Sequence, residues 1–317
     1  MTKTIKQNLP SAKPHLLAKA VTYIKKHRYL YLMLVPALVY YIVFHYVPMA
    51  GASIAFKEFN MMKGIWGSEW IGFENFKEVF MLDKFWQVFY NTVKISLLRL
   101  LFGFPFPIII ALLLNEVRVL KLKKTIQTVI YLPHFISWVI LGGILVNLLS
   151  IDGGVVNQFL TAIGLSPIGF LTSDEYFVGT MIVSMIWKEF GWNTIVYMAA
   201  LSAVDPQLYE AATVDGANRF KQMLHITLPG IWSTILVVLI LRIGGLIDAG
   251  FEQIFVLYHP GVYKTADIID TYVYRIGLTE GKFAMASTIG LFKSVINFSL
   301  LIIANRLTRS KGEGGIF

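Results

Sequence analysis

Cysteine is absent from the 317 residues, which excludes disulfides, thiolate catalysis and cysteine-based metal sites. Charge is scarce: 15% of residues carry it, against about one quarter in an average soluble domain. The six histidines, at 15, 27, 45, 134, 225 and 259, are scattered without metal-ligand spacing. No nucleophile, base and orienting group can be assembled from the pattern, so an enzymatic reading has little support. The phosphate-binding pattern G-x-x-x-x-G-K-[ST] is missing too, because Gly281-Lys282 is followed by Phe283. Nucleotide chemistry, if the chain depends on it, has to come from a partner. Alternating strands of ~10 residues, the signature of a membrane barrel, do not occur.

What remains is apolar. Hydrophobic residues make up 56% of the chain and mean hydropathy is +0.63. Several stretches reach the ~20 residues that cross a hydrocarbon core as a helix, so the expected fold class is an all-α membrane protein. Six transmembrane helices are expected at roughly 29–50, 89–114, 125–149, 177–201, 231–257 and 284–307. A basic start, an apolar run and Ala50-Gly51-Ala52 imitate a secretory signal, but the basic lead is too long and the run from Tyr29 to Val47 exceeds the usual ~7–15 residues. The first span is therefore expected to be retained.

The net charge of +9 would suggest nucleic acid in a soluble chain. Here the basic residues flank apolar spans and act as topology signals, so nucleic-acid binding is discounted. The side holding both termini carries 16 Lys and Arg, the other side 7. Basic residues stay in the cytoplasm, which places both termini and the loops 115–124 and 202–230 there, in a cytoplasmic (inner) membrane. Residues 1–28 form a cytoplasmic segment in which Leu16, Leu17, Ala20, Val21 and Ile24 share one face, as in an interfacial helix. The membrane body then spans 29–307, with a tail at 308–317. Pro36 and the Phe-Pro-Phe-Pro run at 104–107 predict kinks.

The loop from Asp205 to Pro229 is heavily punctuated. Asp205 can cap a helix that Pro206 opens. Leu208, Ala211 and Ala212 share a face, and Gly216 offers the left-handed residue that ends it. A second helix presents Phe220, Met223 and Leu224 until Pro229 closes it. Two short helices with so few apolar residues cannot build a core of their own. The pattern fits a surface awaiting a partner, and equally a hairpin lying on the membrane.

Charged residues inside spans are costly, so those that occur invite functional readings. Lys94 sits near a span end, where its side chain can snorkel to the interface. In span four, Trp187, Lys188, Glu189, Trp192 and Asn193 together offer aromatic faces, charges and an amide, the mixture that sugar recognition uses. A structural ion pair with lipid-facing tryptophans explains the same residues. In span five, Asp248 and Glu252 fall four apart and hence on one helical face, next to Gln253, while Arg242 lies off that face. Arg99 and Lys293 complete the set of intramembrane charges.

The string Glu210-Ala211-Ala212, three residues, Gly216, nine residues, Ile226-x-Leu228-Pro229 resembles the EAA loop of binding-protein-dependent ABC importer permeases at every defining position. Asn91-Thr92, Tyr131-Leu132-Pro133 and the run from Phe251 to Leu257 extend the likeness across most of the chain. The segments 269–277 and 290–294 are similar to polysaccharide-type, LplB-like sugar permeases. The resemblance implies a type I ABC importer permease (MetI-like) fold and no enzyme activity in the chain itself. It implies a partner ATPase dimer that carries ATP and Mg2+, with Glu210, Ala211, Ala212, Asp215, Gly216, Phe220 and Pro229 at the docking contact. It further implies a second homologous permease chain, an extracytoplasmic solute-binding protein and, for the sugar subgroup, an oligosaccharide substrate, acidic if the span cations face it. Spans three to six of such permeases line a cavity, which points to Trp187, Lys188, Glu189, Trp192, Asn193, Arg242, Asp248, Glu252 and Gln253. Permeases for peptides, phosphate or polyamines, and a passive channel or scaffold, are the alternatives that the residues leave open.

Overall fold

The computed structural model describes residue 23 and residues 25–309, without the side chains of 307–309. The expected interfacial helix at 16–24 and most of the expected tail lie outside the described residues. The chain divides into a unit ending at Ser53 and a larger one beginning at Ile54.

The smaller unit contains α1, Arg28–Tyr41, none of whose residues is buried. Helical structure runs through Pro36, and the irregular turn falls later, at Ile42–Tyr46, where the Val47 amide reaches back five residues to Ile42. Pro48 follows at once. The same arrangement recurs at Met223–Thr227, where Leu228 donates to Met223 just ahead of Pro229. A proline cannot donate to the ladder, and a widened turn immediately before it redistributes the carbonyls left over.

The larger unit opens with a two-stranded ribbon, β1 Lys57–Glu58 and β2 Glu69–Trp70, with Lys57 opposite Trp70. Helix α2, Glu74–Met81, leads into α3, Asp83–Gly103, and α4, Pro105–Glu116. One turn residue, Phe104, with helical backbone angles separates α3 from α4, and residues 83–116 still form one candidate span despite the kink expected of Phe-Pro-Phe-Pro. Next come α5, Leu120–Tyr131, α6, Trp138–Leu149, α7, Val155–Ala162, and the long α8, Asp174–Leu201. The cytoplasm-assigned loop forms α9, Pro206–Val214, and α10, Arg219–Gln222, ahead of α11, Trp232–Gly244. Helices α12, Phe251–Leu257, α13, Ile269–Tyr274, and α14, Phe283–Arg309, complete the unit.

Two expected spans are not straight helices. The third bends by 99° between Phe135 and Trp138: Pro133 sits in a 3-10 turn, Ile136 is extended, and the Ser137 hydroxyl accepts from the Ile140 amide to start α6 afresh. The fifth, expected over 231–257, stops at Gly244 and resumes at Phe251 after Gly250 in the left-handed region, φ 88°. Gly250 is required there twice over, since a side chain would also meet the Arg99 guanidinium. The expectation that Asp248 and Glu252 stack on one helical face fails for this reason: Asp248 lies in the break. Among the described residues three helices are long and apolar enough to cross a membrane, or five if each bent pair is one span. Helix α8 is not among them, its hydropathy lowered by the run from Trp187 to Asn193.

The core joins α3, α8, α12 and the segment after it through Ile95, Phe177, Met181, Ile254 and Ile268. A second cluster joins α2, α3, α13 and α14 through Phe85, Val88, Ile269 and Ile289. Asn91 and Thr92 secure this outer part. The Asn91 amide donates to the carbonyls of Lys264 and Asp267 at 3.0 and 3.1 Å, and the Thr92 hydroxyl accepts from the Ile269 amide at 2.8 Å. Fully buried Asp267 pairs there with Arg275 at 2.5 Å and Lys84 at 3.3 Å. Burial works against the Arg275 charge, but its bond to Asp267 and that carboxylate's charge prevail and raise its pKa. Nearby Tyr258 is pushed up to about 12, by burial first and then by Tyr263.

Candidate functional site

The loop 205–229 folds from its own punctuation. The Asp205 carboxylate accepts from the Gln207 amide at 2.9 Å, and Pro206 is the first helical residue. Helix α9 ends at Gly216, φ 78°, and the Asn218 side chain accepts from the Lys221 amide at 2.9 Å to start α10. Two side-chain bonds lock the pair: Tyr209 donates to Thr227 at 3.0 Å, and Gln222 to Thr213 at 3.0 Å. Arg219 ties the loop to the end of α4 through Glu116 at 2.9 Å. No residue of α9 is buried, and Leu208, Val214 and Phe220 are exposed.

Glu210, Ala211, Asp215 and Gly216 are likewise exposed, with Ala212 half-buried. Pro229 does not close the second helix as expected. The helical path continues through the widened turn to Gly230 and bends by 58° into α11 at Ile231. Because the proline follows a five-residue turn, its missing amide falls where the ladder is already reorganised.

The second site is a cavity of about 130 Å³ between α3, α4, α8 and α11, smaller than the ~300 Å³ at which drug-sized ligand pockets begin. Of the sequence candidates it receives Glu189, Asn193, Arg242 and Asp248, and it adds Arg99 and Tyr197. Arg99 faces Glu189 at 3.8 Å and donates to Gln253 at 2.7 Å. Gln253 is itself fully buried and donates to the Met181 carbonyl at 2.8 Å and the Ser184 hydroxyl at 2.9 Å. It does not line the cavity; it holds the arginine that does. Asp248 is paired with Lys293 of α14, whose ammonium also bonds both oxygens of Asp270 at 2.7 and 2.9 Å. The Ser96 hydroxyl, buried at the cavity wall, has no partner among the described residues.

Four candidates lie elsewhere. Lys188 and Glu189 are successive residues on a helix and so point about 100° apart. Lys188 is buried and donates to the His134 carbonyl at 2.7 Å, where it closes the backbone bend between α5 and α6. Trp192 stacks on His134 with ring centroids 4.5 Å apart. Trp187 faces an apolar groove between α6 and α8, and Glu252 is exposed on α12. The seven-residue run Trp187–Asn193 therefore does not face one cavity. The sequence left open which span cation neutralises Asp248, and the structure gives that place to Lys293. The break that exposes Asp248 did leave a signal, the glycines at 244, 245 and 250.

The model of the binding-protein-dependent transport system inner membrane component family matches residues 103–312. The chain is 46% identical to the polygalacturonan/rhamnogalacturonan transport system permease protein YteP of Bacillus subtilis (strain 168), covering 92% of this chain and 91% of that protein. It is 45% identical to protein LplB of the same organism, over 93% and 92%. One chain in the crystal structure of a bacterial ABC transporter involved in the import of the acidic polysaccharide alginate matches with TM-score 0.87 and 43% identity, covering 92% of this chain and 99% of its own. Another match, TM-score 0.87 and 42% identity, comes from that type of transporter in complex with alginate pentasaccharide-bound periplasmic protein. The chain belongs to the family of binding-protein-dependent transport system inner membrane components.

Proposed function

We propose that this chain is the permease subunit of an ATP-driven importer for an oligosaccharide, an acidic one, and forms half of its pathway. It has six spans with both termini cytoplasmic, α8 serving as the fourth. A second, homologous permease chain supplies the other half, and an extracytoplasmic binding protein delivers the sugar. The relatives point the same way: their sugars are polygalacturonan, rhamnogalacturonan and alginate. A separate ATPase dimer holds ATP and Mg2+ and docks on the loop 205–229.

The observation that carries the reading is the loop's construction. It is capped, cross-bonded and therefore stiff, yet α9 buries nothing, and Leu208 and Val214 on it and Phe220 on α10 stay uncovered. A stiff element with an unpartnered apolar face can transmit a push from a subunit that covers it. Glu210, Ala211, Ala212, Asp215 and Gly216 form that contact, and Gly216 sets the angle between the two helices.

Replacing Gly216 by valine tests this. A β-branched residue strongly resists φ 78°, while nothing lies within 4 Å for the new side chain to strike. The variant is expected to insert and fold, and to lose substrate-stimulated ATP hydrolysis in the purified complex. Wild-type stimulation and uptake in Gly216→Val would remove the docking role.

A further inference from the structure

The intramembrane charges around the cavity balance with one exception. Arg99 has Glu189, and Asp248 has Lys293. Arg242 also lines the cavity, is exposed there, and makes no hydrogen bond or ion pair among the described residues.

Depth makes this unpaired cation informative. Arg242 lies about three turns beyond Trp232, where α11 starts, or ~15 Å of helical rise. That is near the middle of a ~30 Å hydrocarbon core, farther from the interface than snorkelling overcomes. A guanidinium at such depth faces a water-filled cavity and marks a pathway. Half-buried Asn193 lines the same cavity and offers an amide, with buried Tyr197 and Ser96 in the wall behind it.

On the transport reading above, we infer that Arg242 is the residue of this chain that reads the substrate's carboxylates as the sugar passes the cavity. A planar guanidinium meets a carboxylate with two parallel, charge-assisted N–H···O bonds. Arg99 cannot take the role, because Glu189 and Gln253 already occupy it. Each uronate unit in turn exchanges its hydration for this one fork. A neutral sugar of equal size gains nothing from it, so Arg242 sets specificity rather than capacity.

The test uses the whole complex in liposomes, with its second permease, ATPase and loaded binding protein, and galacturonate trisaccharide as probe. Arg242→Gln is expected to lower uptake about tenfold or more, the loss of one charge-assisted contact. Arg242→Lys keeps the charge but loses the fork, so its uptake should fall between that of Arg242→Gln and wild type. Because this chain has no cysteine, Arg242→Cys can be modified alone once its partners are made cysteine-free. An aminoethyl methanethiosulfonate reagent, which adds an ammonium, should restore part of the uptake, and a sulfonatoethyl reagent should restore none.

Equal uptake in Arg242→Gln, or equal rescue by both reagents, overturns the assignment. So does a complex that disassembles only when the charge is removed, which would place Arg242 in the subunit contact. Wild-type complex that takes up neutral galactotriose but not the galacturonate instead overturns the acidic reading. Complex that takes up neither overturns the transport reading itself.

Discussion

The docking loop and the cavity follow opposite plans. In the loop each helix starts and stops on residues next to it in sequence: Asp205 caps, Pro206 opens, Gly216 turns, Asn218 caps again. Around the cavity almost every polar contact joins residues far apart in the chain, such as Arg99 with Gln253 and Asp248 with Lys293. The loop stays exposed and is stiffened by two side-chain bonds. The cavity is surrounded by packed helices and is stiffened by charge networks. Substitutions should therefore uncouple the first and unfold the second.

Two glycines give the sharpest contrast. Gly216 needs its φ and has open space around it, whereas Gly191 on α8 has ordinary helical backbone and no space, because a Cβ there would strike the Ile130 carbonyl. Backbone cannot step aside as a flexible side chain can. Gly191→Ala is expected to destabilise by about 3 kcal/mol or more, at or beyond the upper end of overpacking costs. In a unit of this size that corresponds to a fall in the apparent thermal midpoint of about 6–12 °C. A midpoint unchanged in detergent-purified complex would show that α5 and α8 are not in such close contact, and the contrast between the two sites would lose its main support.

Gln253→Leu comes next. The side chain is fully buried and serves three partners, so its loss leaves the Arg99 charge, the Met181 carbonyl and the Ser184 hydroxyl short of bonds. The expected cost is about 1.5–3 kcal/mol, the range for a hydrogen bond to a charged group. Because Gln253 holds Arg99 without touching the cavity, uptake and thermal midpoint should fall together. If uptake falls while the midpoint holds, Gln253 belongs to the pathway itself.

The difference between the regions also explains what could be read in the sequence. Caps, an opening proline and a left-handed glycine act within a few residues, so α9 and the start of α10 were legible without a structure. Helical periodicity likewise located the apolar stretches. It misplaced Asp248 and Glu252 on one face because the wheel presumes an unbroken helix, and Gly250 ends that premise. The run from Trp187 to Asn193 suggested one cavity by composition alone. In α8 the residues diverge around the helix, so Lys188 serves the α5–α6 bend while Glu189 and Asn193 reach the cavity. That Lys293 would meet both Asp248 and Asp270 had no local sign at all.

The smallest expected effect probes whether the loop's stiffness matters apart from its surface. Tyr209→Phe removes one hydroxyl, and with it the bond to Thr227 that links α9 to the widened turn. The aromatic body stays, so the docking face is unchanged. A neutral hydrogen bond of this kind contributes about 0.5–1.5 kcal/mol, which corresponds to a rise of roughly 2–12-fold in local opening. Hydrogen exchange of the amides between 206 and 228 should speed up by that factor while the global midpoint holds. If the loop acts as a rigid lever, uptake per ATP hydrolysed falls in the same variant, because a closing ATPase then bends α9 and passes less of its motion to α11. Faster exchange with unchanged uptake per ATP would mean that the coupling path runs through Arg219 and Glu116 to α4 instead, the other contact by which the loop is tied to the spans.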